Sequence, residues 1–284
     1  MSIELQRYSD PKAFRDAVDD FLRANLDACS QLFTYAQSLT QEQVANRQAW
    51  LARLHRADQT CGVAMIHSAP PIRTLAVSQI DEEAAACIAT ALGTDNIKIN
   101  GLFGSVQSAA LLVKRLGLHA RERARMGNHV LDSLPLLAAC HGRMRAATPE
   151  DLDLLVAWES AYVLECGLPD NRETLPAEIE ERLNGATTLM WIWEVDQGAT
   201  KTPVAMALGR PCQPIARIAQ VYTMPEYRGC GYAGALVATL SANLQALGCS
   251  SVFLFTDLAN PTSNGVYRRI GYRFLDEFTL LDVK

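Results

Sequence analysis

Two short blocks hold the residues whose types and spacing can do chemistry. Residues 221 to 234 read Val-Tyr-Thr-Met-Pro-Glu-Tyr-Arg-Gly-Cys-Gly-Tyr-Ala-Gly, and Asn260-Pro-Thr-Ser-Asn264-Gly-Val-Tyr267-Arg-Arg-Ile-Gly271 follows downstream. In the first block, Gly229 and Gly231 adopt positive φ freely and, lacking side chains, let backbone N–H groups come close to an anion. A helix dipole behind them favours the same negative charge, so the block suits a pyrophosphate. Ala235, Leu236, Ala238, Thr239, Leu240, Ala242, Asn243, Leu244 and Leu247 have the apolar spacing of that helix, which should stop at Gly248. Ile215 to Thr223, rich in β-formers, should be the strand that leads in, ending at Pro225. In the second block Asn260 and Pro261 offer a cap and a first-turn residue, and Asn264 and Tyr267 then share one helix face.

Other readings of the glycines fit less well. Gly229-Cys230-Gly231-Tyr232-Ala233-Gly234 also spells G-x-G-x-x-G, and Asp257 ends the next strand near the spacing of a dinucleotide fingerprint. Yet Met224 to Arg228 separates the strand from the glycines, and too little chain follows Asp257 to complete a doubly wound half. That reading also leaves Asn264 and Tyr267 without a role. No Gly-Lys-Ser/Thr follows the turn, so nucleoside triphosphate hydrolysis is not indicated.

Arg228-Gly229-Cys230-Gly231-Tyr232-Ala233 fits the pattern Arg/Gln-x-x-Gly-x-Gly/Ala, and with the Asn–Tyr helix one strand later it resembles the GNAT superfamily of acyl-CoA-dependent N-acyltransferases. The resemblance implies acetyl-CoA as acyl donor and a primary amine, on a small molecule or peptide, as acceptor by direct attack. It implies that Val221, Tyr222 and Thr223 pair through their backbone with the pantetheine amides, and that Arg228, Gly229, Cys230, Gly231, Tyr232 and Ala233 cradle the pyrophosphate. Asn260, Asn264 and Tyr267 would surround the thiol end. Tyr267 would be the general acid, since a phenol of pKa about 10 keeps its proton until the leaving sulfur becomes basic. A backbone N–H near Thr223 or Met224 would serve the oxyanion. Many relatives carry a glutamate on the strand before the turn as base. Ile215 to Tyr222 has no carboxylate, and Gln220 cannot take a proton, so the base stays unassigned. That gap keeps an alternative alive, a non-catalytic CoA-binding sensor or interaction protein. By the same resemblance Leu164 to Leu175 borders the acceptor, where Glu165, Asp170, Arg172 and Glu173 could select a charged amine.

Composition narrows the class. A chain of 284 residues with formal net charge −5 suggests no broad nucleic-acid-binding face. Arg121 to Arg125 includes an acid and reads as a solvated face or domain contact. The eight cysteines lack metal-ligand spacing, so no metal is expected, and with no leader or membrane-length apolar run they point to a reduced, cytoplasmic setting. Cys230 stands at a helix N-terminus, where a thiol can acidify, although its backbone N–H is the simpler contribution.

The elements that would position these residues fall into two halves, 1–140 and 141–284. The fold expected is α/β (α+β), two GNAT-like domains, each a mixed, largely antiparallel sheet flanked by helices. The second half opens on a short strand into Thr148, Pro149 and Asp151, a capping box. Two helices follow, the second from Pro176 to Leu183, then strands around Thr188 to Val195 and Pro203 to Gly209. The first half has a helical stretch from Asp10 to Thr40 and strands at Cys61 to Ile66, Ile72 to Ser78 and Ile97 to Leu102. Its later helices run from Glu82 to Leu92 and from Val106 to Leu116. Aligning Gly117 with Gly271 sets Val113 opposite Tyr267 and Ala110 opposite Asn264, so this half should be a degenerate copy without a coenzyme site. An unrelated α/β module is the alternative for it.

Overall fold

The computed structural model describes residues 2–46, 49–68, 72–136, 139–168, 171–185, 189–198 and 200–284. Among them the order begins β1 (Glu4–Tyr8), α1 (Pro11–Ala24), α2 (Leu26–Ser38), α3 (Gln41–Asn46), β2 (Trp50–Arg56), β3 (Gln59–Ile66) and β4 (Thr74–Val77). It continues α4 (Glu82–Thr94), β5 (Gly101–Ser105), α5 (Val106–Leu116), β6 (Ala120–Leu131) and β7 (Arg143–Ala146). Then come α6 (Leu152–Glu165), α7 (Leu175–Asn184), β8 (Leu189–Gln197), β9 (Thr200–Cys212) and β10 (Ile215–Thr223). The chain closes with α8 (Tyr232–Ala246), β11 (Ser251–Asp257), α9 (Pro261–Ile270) and β12 (Arg273–Val283).

Two compact units emerge. The first takes in Met1–Asn128, Thr256–Asn260 and Leu275–Lys284, the second His129–Phe255 and Pro261–Phe274. In the first, the strand order is β1-β2-β3-β4-β5-β12, with β4 and β5 parallel and the other pairs antiparallel. A parallel pair needs a crossover, and α4 supplies it. Trp50, Leu54, Ile66, Leu75, Ile88, Leu102 and Leu112 form its apolar core. The Arg-rich run lies in β6, where Arg123 pairs with Asp282 and Arg125 with Glu122 and Glu277, so it is a charged strand. The stretch expected to be helical from Asp10 to Thr40 breaks at Asn25, whose N–H caps α1 on the Leu22 carbonyl. The strand expected at Ile97 to Leu102 starts later, at Gly101.

The second unit has the order β11-β10-β9-β8-β7, with β10 and β11 parallel and α8 as their crossover. Asp151 accepts the Thr148 N–H at 2.8 Å, the capping box expected from the sequence. Thr188, expected at the start of β8, lies outside the described residues. One core lies under α8, where Leu236, Leu240 and Leu244 meet Val204, Ala216, Ile218 and Leu254. A second joins α6 and α7 to β8, β9 and Tyr222. Burying a leucine side chain is worth about 1.5–3 kcal/mol, so these two layers fix β10 from both faces. The mixed, largely antiparallel α/β architecture agrees with the expectation.

Candidate active site

The site begins with a fault in β10. Its parallel pairing with β11 runs from Ile215↔Ser251 to Ile218↔Leu254 and ends there. On the other edge, Ala219 pairs with Leu208 but the next partners are Tyr222 and Met206, so three steps on β10 match two on β9. This bulge leaves Gln220 at φ +50. Left-handed backbone costs a residue with a side chain on the order of 1 kcal/mol, so the surroundings must hold it. The hold comes from α6. Gln220 Nε2 donates to Glu159 Oε1 at 2.5 Å, and Arg182 Nη1 lies 2.8 Å from both oxygens of the same carboxylate. The Trp158 ring lies 6.3 Å from that of Tyr222. Tyr222 thus points to the α6 and α7 core, while Val221 packs on the opposite core under α8.

Beyond β10 the chain makes a single 3-10 turn at Pro225–Tyr227 and then the glycine turn. Gly229 and Gly231 have φ of +79 and +84, and a Cβ at either would meet nothing within 4 Å. The glycines therefore leave open, exposed space beside the turn that side chains would occupy. Gly231 is the N-cap of α8 and has no side chain to bond to the helix start, and the first turn has no acidic residue. Intrahelical bonding resumes with Ala235 N–H to Gly231 O at 3.0 Å, which leaves the N–H groups of Tyr232, Ala233 and Gly234 without acceptors inside the helix. Cys230 is exposed, and Cys140 Sγ lies 3.8 Å from its carbonyl oxygen. A Cβ on Gly234 would come within 3.4 Å of Val266, so α8 and α9 are closely packed there.

Arg228 does something the sequence did not suggest. Its guanidinium donates to both oxygens of Glu165 at 2.7 and 2.9 Å and to the Thr223 carbonyl at 3.0 Å, and it lies over the Tyr222 ring. It ties the turn to the end of α6. Glu165, considered above as an acceptor-side charge, is thereby engaged; Asp170 lies outside the described residues. The Met224 N–H, a candidate oxyanion donor, is bonded to Val204 O at 3.1 Å. Thr223 Oγ1 is buried and has no hydrogen-bond partner among the described residues.

Tyr267 is buried in the α8 core, on which Val221 and Tyr232 also pack. Burial pushes its phenol up to about 12, with the nearby Cys166 thiol acting in the same direction. Tyr162, raised by burial as well, shares a hydrogen bond with Cys166 and feels both Tyr267 and Glu159. Asn264 is half-buried on the same helix as Tyr267. Asn260 is exposed, its N–H bonded to Asp257 O at 2.9 Å, and it belongs to the first compact unit. The second unit therefore gathers Val221, Tyr222, Thr223, the turn, Asn264 and Tyr267. The residues missed were Glu159, Arg182, Tyr162 and Cys166. One signal existed for Glu159: it stands four residues from both Leu155 and Val163, inside the apolar stripe of α6.

No curated protein sequence matches the chain. Solved structures do. A Drosophila protein aligns at TM-score 0.67 with 13% identity over 98% of both chains. A GCN5-related N-acetyltransferase from Sphaerobacter thermophilus aligns at 0.62 with 16% identity, over 99% of this chain and 95% of the other. A tandem GNAT protein from the clavulanic acid biosynthesis pathway aligns at 0.61 with 12% identity, over 99% of this chain and 98% of the other. At such identities the likeness establishes the fold. The sequence match is to the acetyltransferase (GNAT) family, over residues 155–272, which includes β10, the glycine turn, α8 and α9. This segment is a GNAT acetyltransferase domain, of a family of N-acetyltransferases that use acetyl-CoA as acyl donor.

Proposed function

We propose that the protein transfers an acetyl group from acetyl-CoA to a primary amine by direct attack, using one coenzyme site in its C-terminal half, 141–284. The observation that carries this is the open start of α8: two glycines at positive φ, free space at both, and N–H groups with no side-chain cap. Such a terminus suits the pyrophosphate. The coenzyme supplies an activated thioester. Val221, Tyr222 and Thr223 offer backbone groups on a strand whose pairing with β11 has ended. The N–H groups of the bulge serve the oxyanion, since that of Met224 is committed to Val204. With its proton held up to about 12, Tyr267 is an acid at neutral pH and donates to the departing sulfur. Asn264 stands at the thiol end on this reading.

One observation favours the second reading, a non-catalytic CoA-binding protein. The carboxylate beside the bulge, Glu159, is already engaged by Arg182 and Gln220, and the strand itself, Ile215 to Tyr222, has no carboxylate to act as base. Incubation with acetyl-CoA and a broad amine panel, with release of the free thiol followed by a colorimetric reagent, separates the two. Acetylated amine with stoichiometric thiol release supports the transferase; acetyl-CoA binding with no turnover on any amine supports the sensor.

A further inference from the structure

Gln220 is unusual on two counts. Its φ of +50 is one that residues with side chains avoid, and its amide turns inward onto a carboxylate only 1% exposed. Buried carboxylates persist where donors surround them. Arg182, at 2.8 Å from both oxygens, is the cation that faces Glu159, and it is also bonded to the more exposed Glu178 at 3.3 Å. The neutral Gln220 amide adds a hydrogen bond but no charge. Its contact restrains the backbone of β10 where that strand has lost register on β9 and its pairing with β11 has ended. This is the least supported stretch of the strand. Trp158, next to Glu159, meets Tyr222 from the same helix, so α6 grips the bulge on one face and leaves Val221 to the other.

We infer that Glu159 and Gln220 form a latch, a pair of positioning residues that sets the backbone of Val221–Thr223 to pair with an extended, amide-bearing chain such as the pantetheine arm, without touching it. The inference rests on the coenzyme reading above and adds to it. Arg182 anchors the latch, and the glycine turn, a separate element, holds the nucleotide end.

The experiment divides the coenzyme accordingly. CoA carries both the nucleotide and the amide arm, whereas adenosine 3′,5′-bisphosphate carries the nucleotide alone. Gln220→Gly leaves the backbone free to keep its positive φ and removes only the amide. By calorimetry it should weaken CoA by about tenfold, the scale of a hydrogen bond to a charged group, and leave the bisphosphate within about twofold. Gln220→Glu, which sets two carboxylates together, should lose more. In the free Gln220→Gly protein, amide hydrogen exchange at Val221–Thr223 should quicken while α8 is unmoved. Unchanged CoA affinity in the folded variant, or equal loss for both probes, overturns the latch. Wild-type protein that binds neither probe overturns the coenzyme reading itself, and the latch with it.

Discussion

α4 and α8 hold equivalent posts, each crossing over between two parallel strands, yet they begin in opposite electrostatic states. At α4, the Asp81 carboxylate caps the helix by accepting the Ala84 N–H at 2.8 Å, and Glu82 and Glu83 fill the first turn. Glu83 also accepts the Ile3 N–H and an Arg56 contact, both at 2.8 Å. That terminus has spent a donor on its own side chain and repels anions. At α8 the N-cap is Gly231, which has no side chain to cap with, and no acid stands in the first turn. The next helices repeat the contrast. α5 is capped by Ser105 and carries Ala110 and Val113, whereas α9 carries Asn264 and Tyr267; both helices are followed by a glycine at positive φ, Gly117 and Gly271. Two crossover helices can therefore differ in the charge and capping of their starts through a few residues.

The largest effect that would sharpen this contrast belongs to Tyr267. Tyr267→Phe keeps the ring and removes the donor, so turnover should fall by ~10²–10⁴-fold with acetyl-CoA affinity little changed. A rate within about twofold of wild type, with chemistry rate-limiting, would reduce Tyr267 to packing. The pH profile adds a sign. The folded phenol, at about 12, lies above its usual value of about 10, so it remains an acid and imposes no falling limb on the rate below about pH 12. The same shift stabilises the fold below pH about 10 and is lost as pH rises toward 12, so Tyr267→Phe should lessen alkaline unfolding.

Gly231→Val comes next. It combines a β-branched side chain with φ +84 and fills the open space beside the turn, so acetyl-CoA affinity should drop at least about tenfold by calorimetry. Unchanged affinity in the folded variant would move the coenzyme elsewhere. On the other side of the comparison, Asp81→Ala should cost about 1 kcal/mol in urea unfolding through the lost cap. It should create no second coenzyme site, because Glu82 and Glu83 remain. The smallest effect is expected at Arg228. Its exposed pair with Glu165 makes Arg228→Ala a change of about 1 kcal/mol or less in stability, and coenzyme affinity should fall by less than about tenfold. A larger loss would mean that the guanidinium leaves Glu165 for the phosphates.

What was legible in the sequence was local. The glycine turn, the Thr148 capping box and the helix closed by Gly117 each announce themselves through neighbouring residues, and each appears where expected. The bulge at Gln220 depends on how β10 meets β9, a register that no run of residues encodes by itself. The Glu159 latch joins positions 61 residues apart, and the Arg228–Glu165 pair joins positions 63 apart. A search for a base confined to β10 could not reach either. The last strand was also hidden: Leu275–Lys284 is grouped with the first compact unit, although its sequence follows directly on the second.

Calorimetric titration of the full chain with acetyl-CoA tests the central claim most directly, because it counts sites. An open helix start in the second unit and a self-capped one in the first predict one molecule bound per chain. Two molecules per chain, or none, would contradict the account.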